Sequence, residues 1–203
     1  MKVVVLISAE QQKELNLIQP TPNIFFTDNK ETFFNYKEAD VFANFLSDAA
    51  TEDYSAIHKT IIINSVVATI AEIKSSASVI RINGWATFLQ RSKWEVAGPI
   101  TDQASSFFSL LNKETIPTAD EPGLVAARAI AMIINEAYFA LEDSVSSKAE
   151  IDIAMKLGTN YPHGPFEWAD KIGLNNIYQL LEKLSWQSNR YTVCGLLKKE
   201  ATA

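Results

Sequence analysis

The hydrophobic rhythm of the chain changes once, near Pro117, and that change constrains the fold more than any other feature. Up to about residue 118, short β-type runs alternate with helical or turn-like stretches. Lys2 to Ile7 is a continuous β-branched run of the kind that a parallel sheet buries on both faces. Ile24-Phe25-Phe26, Thr60 to Asn64 and Val79 to Asn83 are further strand candidates, and Val41 to Leu46 reads equally as strand or helix. Ser8 with Gln11 three residues later predicts a capped short helix, and Thr101 to Leu111 predicts another. Strands alternating with helices argue for an open α/β sheet.

After Pro117 the apolar period becomes about 3.6 residues and no strand run remains. Pro122-Gly123 introduces a helix from Leu124 to Glu142, with Leu124, Ala127, Ala131, Ile134, Tyr138 and Leu141 on one stripe. Ser147 and Glu150 cap a second helix, which Gly158 is expected to end in a left-handed turn. Pro165 to Ile172, closed by Gly173, gives a third helix, and Asn175 to Trp186 a fourth. The expectation is an α/β domain over 1–118 followed by an all-α domain over 119–203.

Several chemistries are excluded by what the residues lack. Only 7 of the 203 residues are glycine, and the first is Gly84, so no Gly-rich phosphate loop can be written near the start. With 18 basic and 24 acidic side chains the net charge is −6, which disfavours nucleic acid as a partner. Cys194 is the only cysteine, and the two histidines, His58 and His163, lie far apart, so the usual metal-ligand spacing is missing. Cys194 reads either as a nucleophilic thiol or, more simply, as a small residue in a C-terminal loop. Val3 to Ile7 is too short for a signal peptide, and Arg128 interrupts the longest apolar stretch, Leu124 to Ile134. A cytoplasmic protein without membrane contact is expected.

One long signature remains. Asp120-Glu121-Pro122-Gly123-Leu124-Val125, followed by Ala154-Met155-Lys156-Leu157-Gly158-Thr159-Asn160-Tyr161-Pro162-His163-Gly164-Pro165-Phe166-Glu167, resembles the C-terminal domain of the 3-hydroxyacyl-CoA dehydrogenases. The likeness runs from about Asp120 through Leu180 and resumes at Arg190-Tyr191 and Leu196 to Lys199. The first half follows the family's order more weakly. The resemblance implies a Rossmann-like open sheet, degenerate and shortened here, plus a small helical dimerisation domain. It also implies the family's reaction, NAD-dependent oxidation of 3-hydroxyacyl-CoA in fatty-acid metabolism.

The parts on which that reaction rests in the family are altered here. Ser8-Ala9-Glu10-Gln11-Gln12 stands where the family has its glycine loop, and Glu10 would repel phosphate. Asp28 stands near the family's ribose-binding acid, although an exposed turn aspartate is the simpler reading. Asn83 takes the place of the general-base histidine, with Glu95 twelve residues on in the place of its partner. An amide does not titrate near neutral pH and so cannot serve as that base. The family's serine corresponds to Val66, or to Ser65 in a shifted register. Ala127 stands where an asparagine would polarise the substrate carbonyl. Asn83, Glu95 and Ala127 are therefore expected to be vestigial positions, with no cofactor bound and no metal. A homodimer through the helical domain and an acyl-CoA or acyl ligand are the expected partners. Two alternatives stand beside this reading: a structural or interaction dimer module, and an active dehydrogenase that binds its cofactor by another geometry.

Overall fold

The computed structural model describes residues 1–15, 22–47 and 49–203. The chain divides into two compact units, Met1–Leu124 and Val125–Ala203.

The first unit is a seven-stranded sheet. Its strands are β1 (Val3–Leu6), β2 (Ile24–Thr27), β3 (Val41–Asn44), β4 (Thr60–Asn64), β5 (Val79–Ile82), β6 (Lys93–Ala97) and β7 (Glu114–Pro117). They lie in the order β2-β1-β3-β4-β5-β6-β7. All neighbours pair in parallel except β5 with β6, which is antiparallel. The ambiguous Val41 segment is a strand, fully buried between β1 and β4.

Alternation along the strands builds two cores. Val3, Val5, Ile62, Ile80 and Ile82 face α3 (Asp102–Leu110), whose Phe107 and Phe108 pack beside Trp94. Leu15, the last residue of α1 (Ala9–Leu15), joins the same face. Val4, Leu6, Ile61 and Ile63 face the opposite way, against Phe33 of α2 (Lys30–Phe34) and Tyr54. A β-branched run buried on both sides is what a doubly covered parallel sheet requires. Thr101 caps α3 by accepting from the Ala104 N–H, as its sequence position predicts.

Two elements of this unit go beyond the sequence reading. The short α2 is started by Asn29, whose side chain accepts from the Thr32 N–H. The edge strand β7 has no buried residue and is held by its pairing with β6. Residues 119–124 stay with the first unit, because Asp120 pairs with Arg81 and the Gly123 N–H donates to the Val66 carbonyl at 2.7 Å.

The second unit is all helix: α4 (Ala126–Glu142), α5 (Lys148–Thr159), α6 (Pro165–Ile172), α7 (Leu174–Ser185) and α8 (Gly195–Ala201). Helix α4 starts two residues later than predicted, since Gly123 and Leu124 both adopt positive φ, 83° and 49°. It packs on α6, α7 and α8. The capping box of Ser147 and Glu150 starts α5 as expected. Gly158 does not end it. The helix runs through Gly158 to Thr159, and Asn160 takes the left-handed cap at φ 54°. Asparagine tolerates that conformation, so the glycine is not needed there. Gly164 is needed, for a different reason. Asp152 reaches across from α5 to accept from the Phe166 and Glu167 N–H groups, at 2.8 and 3.1 Å. A Cβ on Gly164 would lie 2.3 Å from the Asp152 carboxylate. Cys194 lies buried in the C-terminal loop, at the N-cap of α8, with its N–H donating to Oδ1 of the buried Asn135.

Candidate functional site

In an open α/β sheet the ligand end lies outside the carboxyl ends of the strands, at the point where strand order reverses. Here that point falls between β1 and β3, since β2 lies on the other side of β1. The chain leaves β1 through Ser8 into α1. Ser8 Oγ accepts from the Gln11 N–H at 3.2 Å, and Gln11 Oε1 accepts from the Ser8 N–H at 3.1 Å. The remaining Gln11 amide, Nε2, donates to the Phe45 carbonyl just beyond β3. From β4, Asn64 Nδ2 donates to the same carbonyl at 3.2 Å. The side chain of Gln11 thus bridges the exits of β1 and β3. Glu10 is exposed on the first turn of α1, and Asp28 is exposed after β2.

The ends of β4 and β5 bring together a second group of predicted residues. Asn64 Oδ1 accepts from the Gly84 N–H at 2.9 Å. A Cβ at Gly84 would lie 2.7 Å from Asn64 Cγ, so the first glycine of the chain is fixed by this close approach. Ser65 is buried, and its hydroxyl donates to the Ala68 carbonyl at 2.7 Å. Asn83 is 5% exposed, and its Oδ1 accepts from the Trp85 N–H at 3.2 Å. The Arg81–Ala97 and Ile82–Val96 pairs of β5 and β6 set Asn83 and Glu95 opposite each other in register. Ala127 lies elsewhere, buried in the first turn of α4 in the second unit.

Three functional candidates have no counterpart in the sequence reading. Arg81 is fully buried on β5; its Nε donates to the Ser65 carbonyl at 3.0 Å and its guanidinium pairs with Asp120. Burial pushes the Arg81 pKa down and Asp120 opposes that shift. Glu14 of α1 accepts the Thr87 N–H with both carboxylate oxygens, at 3.0 and 3.1 Å. Thr87 itself has φ 75°, a costly conformation for a β-branched residue, of the order of 1–3 kcal/mol. In sequence only the alternation in Val79-Ile80-Arg81-Ile82 hints at Arg81, and it suggests an outward-facing residue.

The titratable groups outside this end offer little chemistry. Burial pushes the Cys194 thiol up, with Glu142 adding to the shift, which keeps the sulfur protonated. Burial and Lys171 hold His163 below the ordinary histidine value, and His58 is exposed ahead of β4. Among the described residues no three His, Cys, Asp or Glu side chains gather as metal ligands. Nor is any helix among them long and apolar enough to cross a membrane.

Residues 123–203 match the family model described as 3-hydroxyacyl-CoA dehydrogenase, C-terminal domain. Over those residues the chain is similar to the C-terminal domain of the 3-hydroxyacyl-CoA dehydrogenases. The 3-hydroxyadipyl-CoA dehydrogenase of Escherichia coli K12 is 42% identical over 103 residues, which cover 50% of this chain and 22% of that protein. The 3-hydroxybutyryl-CoA dehydrogenase of Clostridioides difficile is 36% identical over 115 residues, 53% of this chain and 41% of that one. The chain therefore spans less than half the length of these 3-hydroxyacyl-CoA dehydrogenases. The crystal structure of (S)-3-hydroxybutyryl-CoA dehydrogenase PaaH1 from Ralstonia eutropha shares the fold, with a TM-score of 0.67 at 24% identity. It is matched over 89% of this chain and 70% of its own. The sheet described above is thus Rossmann-like.

Proposed function

We propose that this chain is a 3-hydroxyacyl-CoA dehydrogenase relative that has given up cofactor binding and hydride transfer and retains an acyl-CoA or acyl ligand. The observation that carries the reading is the Gln11 bridge between the exits of β1 and β3. A dinucleotide pyrophosphate needs open backbone N–H groups at a helix start after β1. The N–H groups of Ser8 and Gln11 are instead consumed inside the capping box, and the exposed Glu10 adds repulsion. These residues do not fit NAD. Nor does Asn83 fit proton abstraction, since its amide has no titration near neutral pH and Oδ1 is held by Trp85.

The match of residues 123–203 to that C-terminal domain and the CoA thioesters in the relatives' names support the acyl ligand. A second reading, the dimeric interaction module, has its own observation: α5 leaves Ile153 and Leu157 exposed, 54% and 82%, on one face. We read both as properties of one cytoplasmic protein, a homodimer through its helical unit. The direct test is an assay of NADH oxidation with acetoacetyl-CoA. No turnover above the uncatalysed rate is expected; turnover that saturates with NADH would restore the dehydrogenase reading.

A further inference from the structure

Two asparagines stand at the ends of neighbouring strands, and the fold holds them differently. Asn64 ends β4 and Asn83 follows β5; each is 5% exposed and each precedes a small residue, Ser65 and Gly84. Asn83-Gly84 is the only Asn-Gly pair in the sequence. The side-chain amide of an asparagine is open to attack by the backbone nitrogen of the next residue, and a glycine leaves that nitrogen least hindered. The fold itself requires the glycine, since a Cβ there would lie 2.7 Å from Asn64 Cγ.

The amide nitrogen is the leaving group of such an attack. In Asn64, Nδ2 is held by donating to the Phe45 and Leu46 carbonyls, at 3.2 and 3.4 Å. In Asn83, Nδ2 is buried and has no hydrogen-bond partner among the described residues. Buried polar groups are almost always paired, so this one calls for an explanation. Oδ1 of Asn83 accepts from the Trp85 N–H at 3.2 Å. That bond closes a turn around the 83–84 peptide and folds the side chain over the Gly84 nitrogen. It also puts a donor where negative charge develops when Cγ is attacked. One contact opposes the step: the Gly84 N–H donates to Asn64 Oδ1 at 2.9 Å, which slows it by about tenfold.

We propose that Asn83 is a site of spontaneous deamidation, its amide carbon presented to the Gly84 nitrogen while Asn64 is protected. The Gly84 nitrogen gives its proton to hydroxide and bonds to Asn83 Cγ. The bond from Cγ to Nδ2 breaks, and Nδ2 leaves as ammonia with a proton taken from water. Water then adds to either carbonyl carbon of the cyclic imide and breaks its bond to the ring nitrogen, which regains a proton. One water is consumed, one ammonia is released, and position 83 becomes aspartate or isoaspartate. Nothing is oxidised or reduced, and the step needs no ligand, so it stands apart from the acyl-ligand reading. The new carboxylate lies opposite Glu95 in the register of β5 and β6. Like charges placed together away from water are disfavoured, so conversion weakens this end of the sheet.

The test is incubation of the full chain at alkaline pH in heavy-oxygen water, then digestion in ordinary water and tandem mass spectrometry. The excised peptide that spans 83 and 84 sets the clock. One heavy oxygen is expected at position 83 within about ten lifetimes of that peptide, the slowing that the Gly84 bond allows. Position 64 should stay unlabelled over the same time. Label at 64 as early as at 83 overturns the proposal, and so does a position 83 still unlabelled at that point. Asn83→Asp should unfold at a lower urea midpoint than the parent, and the aged chain should move toward it. A midpoint unchanged in both overturns the like-charge consequence. Should Asn83→Asp fail to fold, the aged parent carries that measurement alone.

Discussion

Arg81 shows how a single residue can organise the site end of the sheet. A charge with no exposure must be paired and hydrogen-bonded, or its burial costs several kcal/mol. Its guanidinium reaches the Ser65 and Val66 carbonyls after β4 and Asp120 after β7, joining three segments remote in sequence. Asp120 in turn accepts from the Ile70 N–H at 2.9 Å. Asp120→Ala would remove the carboxylate paired with the buried cation and leave it carbonyl partners. The Asp120 side chain is 33% exposed, so the loss should fall toward the low end for buried pairs, about 3 kcal/mol of stability. Urea unfolding would register it. A change below about 1 kcal/mol would mean that water replaces the carboxylate. None of this was legible in the sequence, where Arg81 alternates with valine and isoleucine like any outward-facing residue and its partner lies 39 positions away.

At the scale of elements, strands β1, β4 and β5 were legible because their runs of valine and isoleucine are buried on both faces. Strand β7 was not, since Glu114, Thr115, Ile116 and Pro117 bury no side chain and the strand exists only through pairing with β6. Helix α2, five residues long, is too short to show a helical period. In the second unit a staple joins three helices: Tyr138 of α4 donates to Glu200 of α8 at 2.8 Å, and Lys148 of α5 pairs with the same carboxylate at 2.7 Å. Lys148 holds the Glu200 carboxyl below its ordinary value of 4.5, with Tyr138 assisting. A depressed carboxyl pKa gives stability that is complete above the unfolded value and is lost as pH falls through the folded one. Stability of the parent should therefore decline below pH 4.5, and Glu200→Gln should flatten that decline. Urea midpoints at neutral and acid pH would show it; an unchanged slope would place the acid sensitivity elsewhere.

The exposed face of α5 makes a separate prediction about elements. Ile153 and Leu157 project from a helix whose Gly158 has nothing within 4 Å of its Cβ position, so a second helix could approach closely there. Leu157→Glu should turn a sedimenting dimer into a monomer without lowering the unfolding midpoint. A parent that sediments as a monomer at every concentration would contradict the dimer.

Across the whole molecule, the two rhythms of the sequence correspond to two compact units, a mixed sheet with helices on its faces and an all-helical bundle. The glycine distribution gained a structural meaning. The first glycine, Gly84, serves a close approach to Asn64, while the turn after β1, where the family keeps its nucleotide loop, is closed by side chains. The pairing of Asn83 with Glu95 could be read in sequence from their twelve-residue spacing, and the register of β5 and β6 sets them opposite each other. The Gln11 bridge could not, because it depends on where β3 ends relative to β1. That bridge makes cofactor loss a physical claim about one crevice. Calorimetric titration of the full chain with NADH tests it most directly. No saturable heat is expected at micromolar protein and ligand, whereas a micromolar dissociation constant would contradict the account.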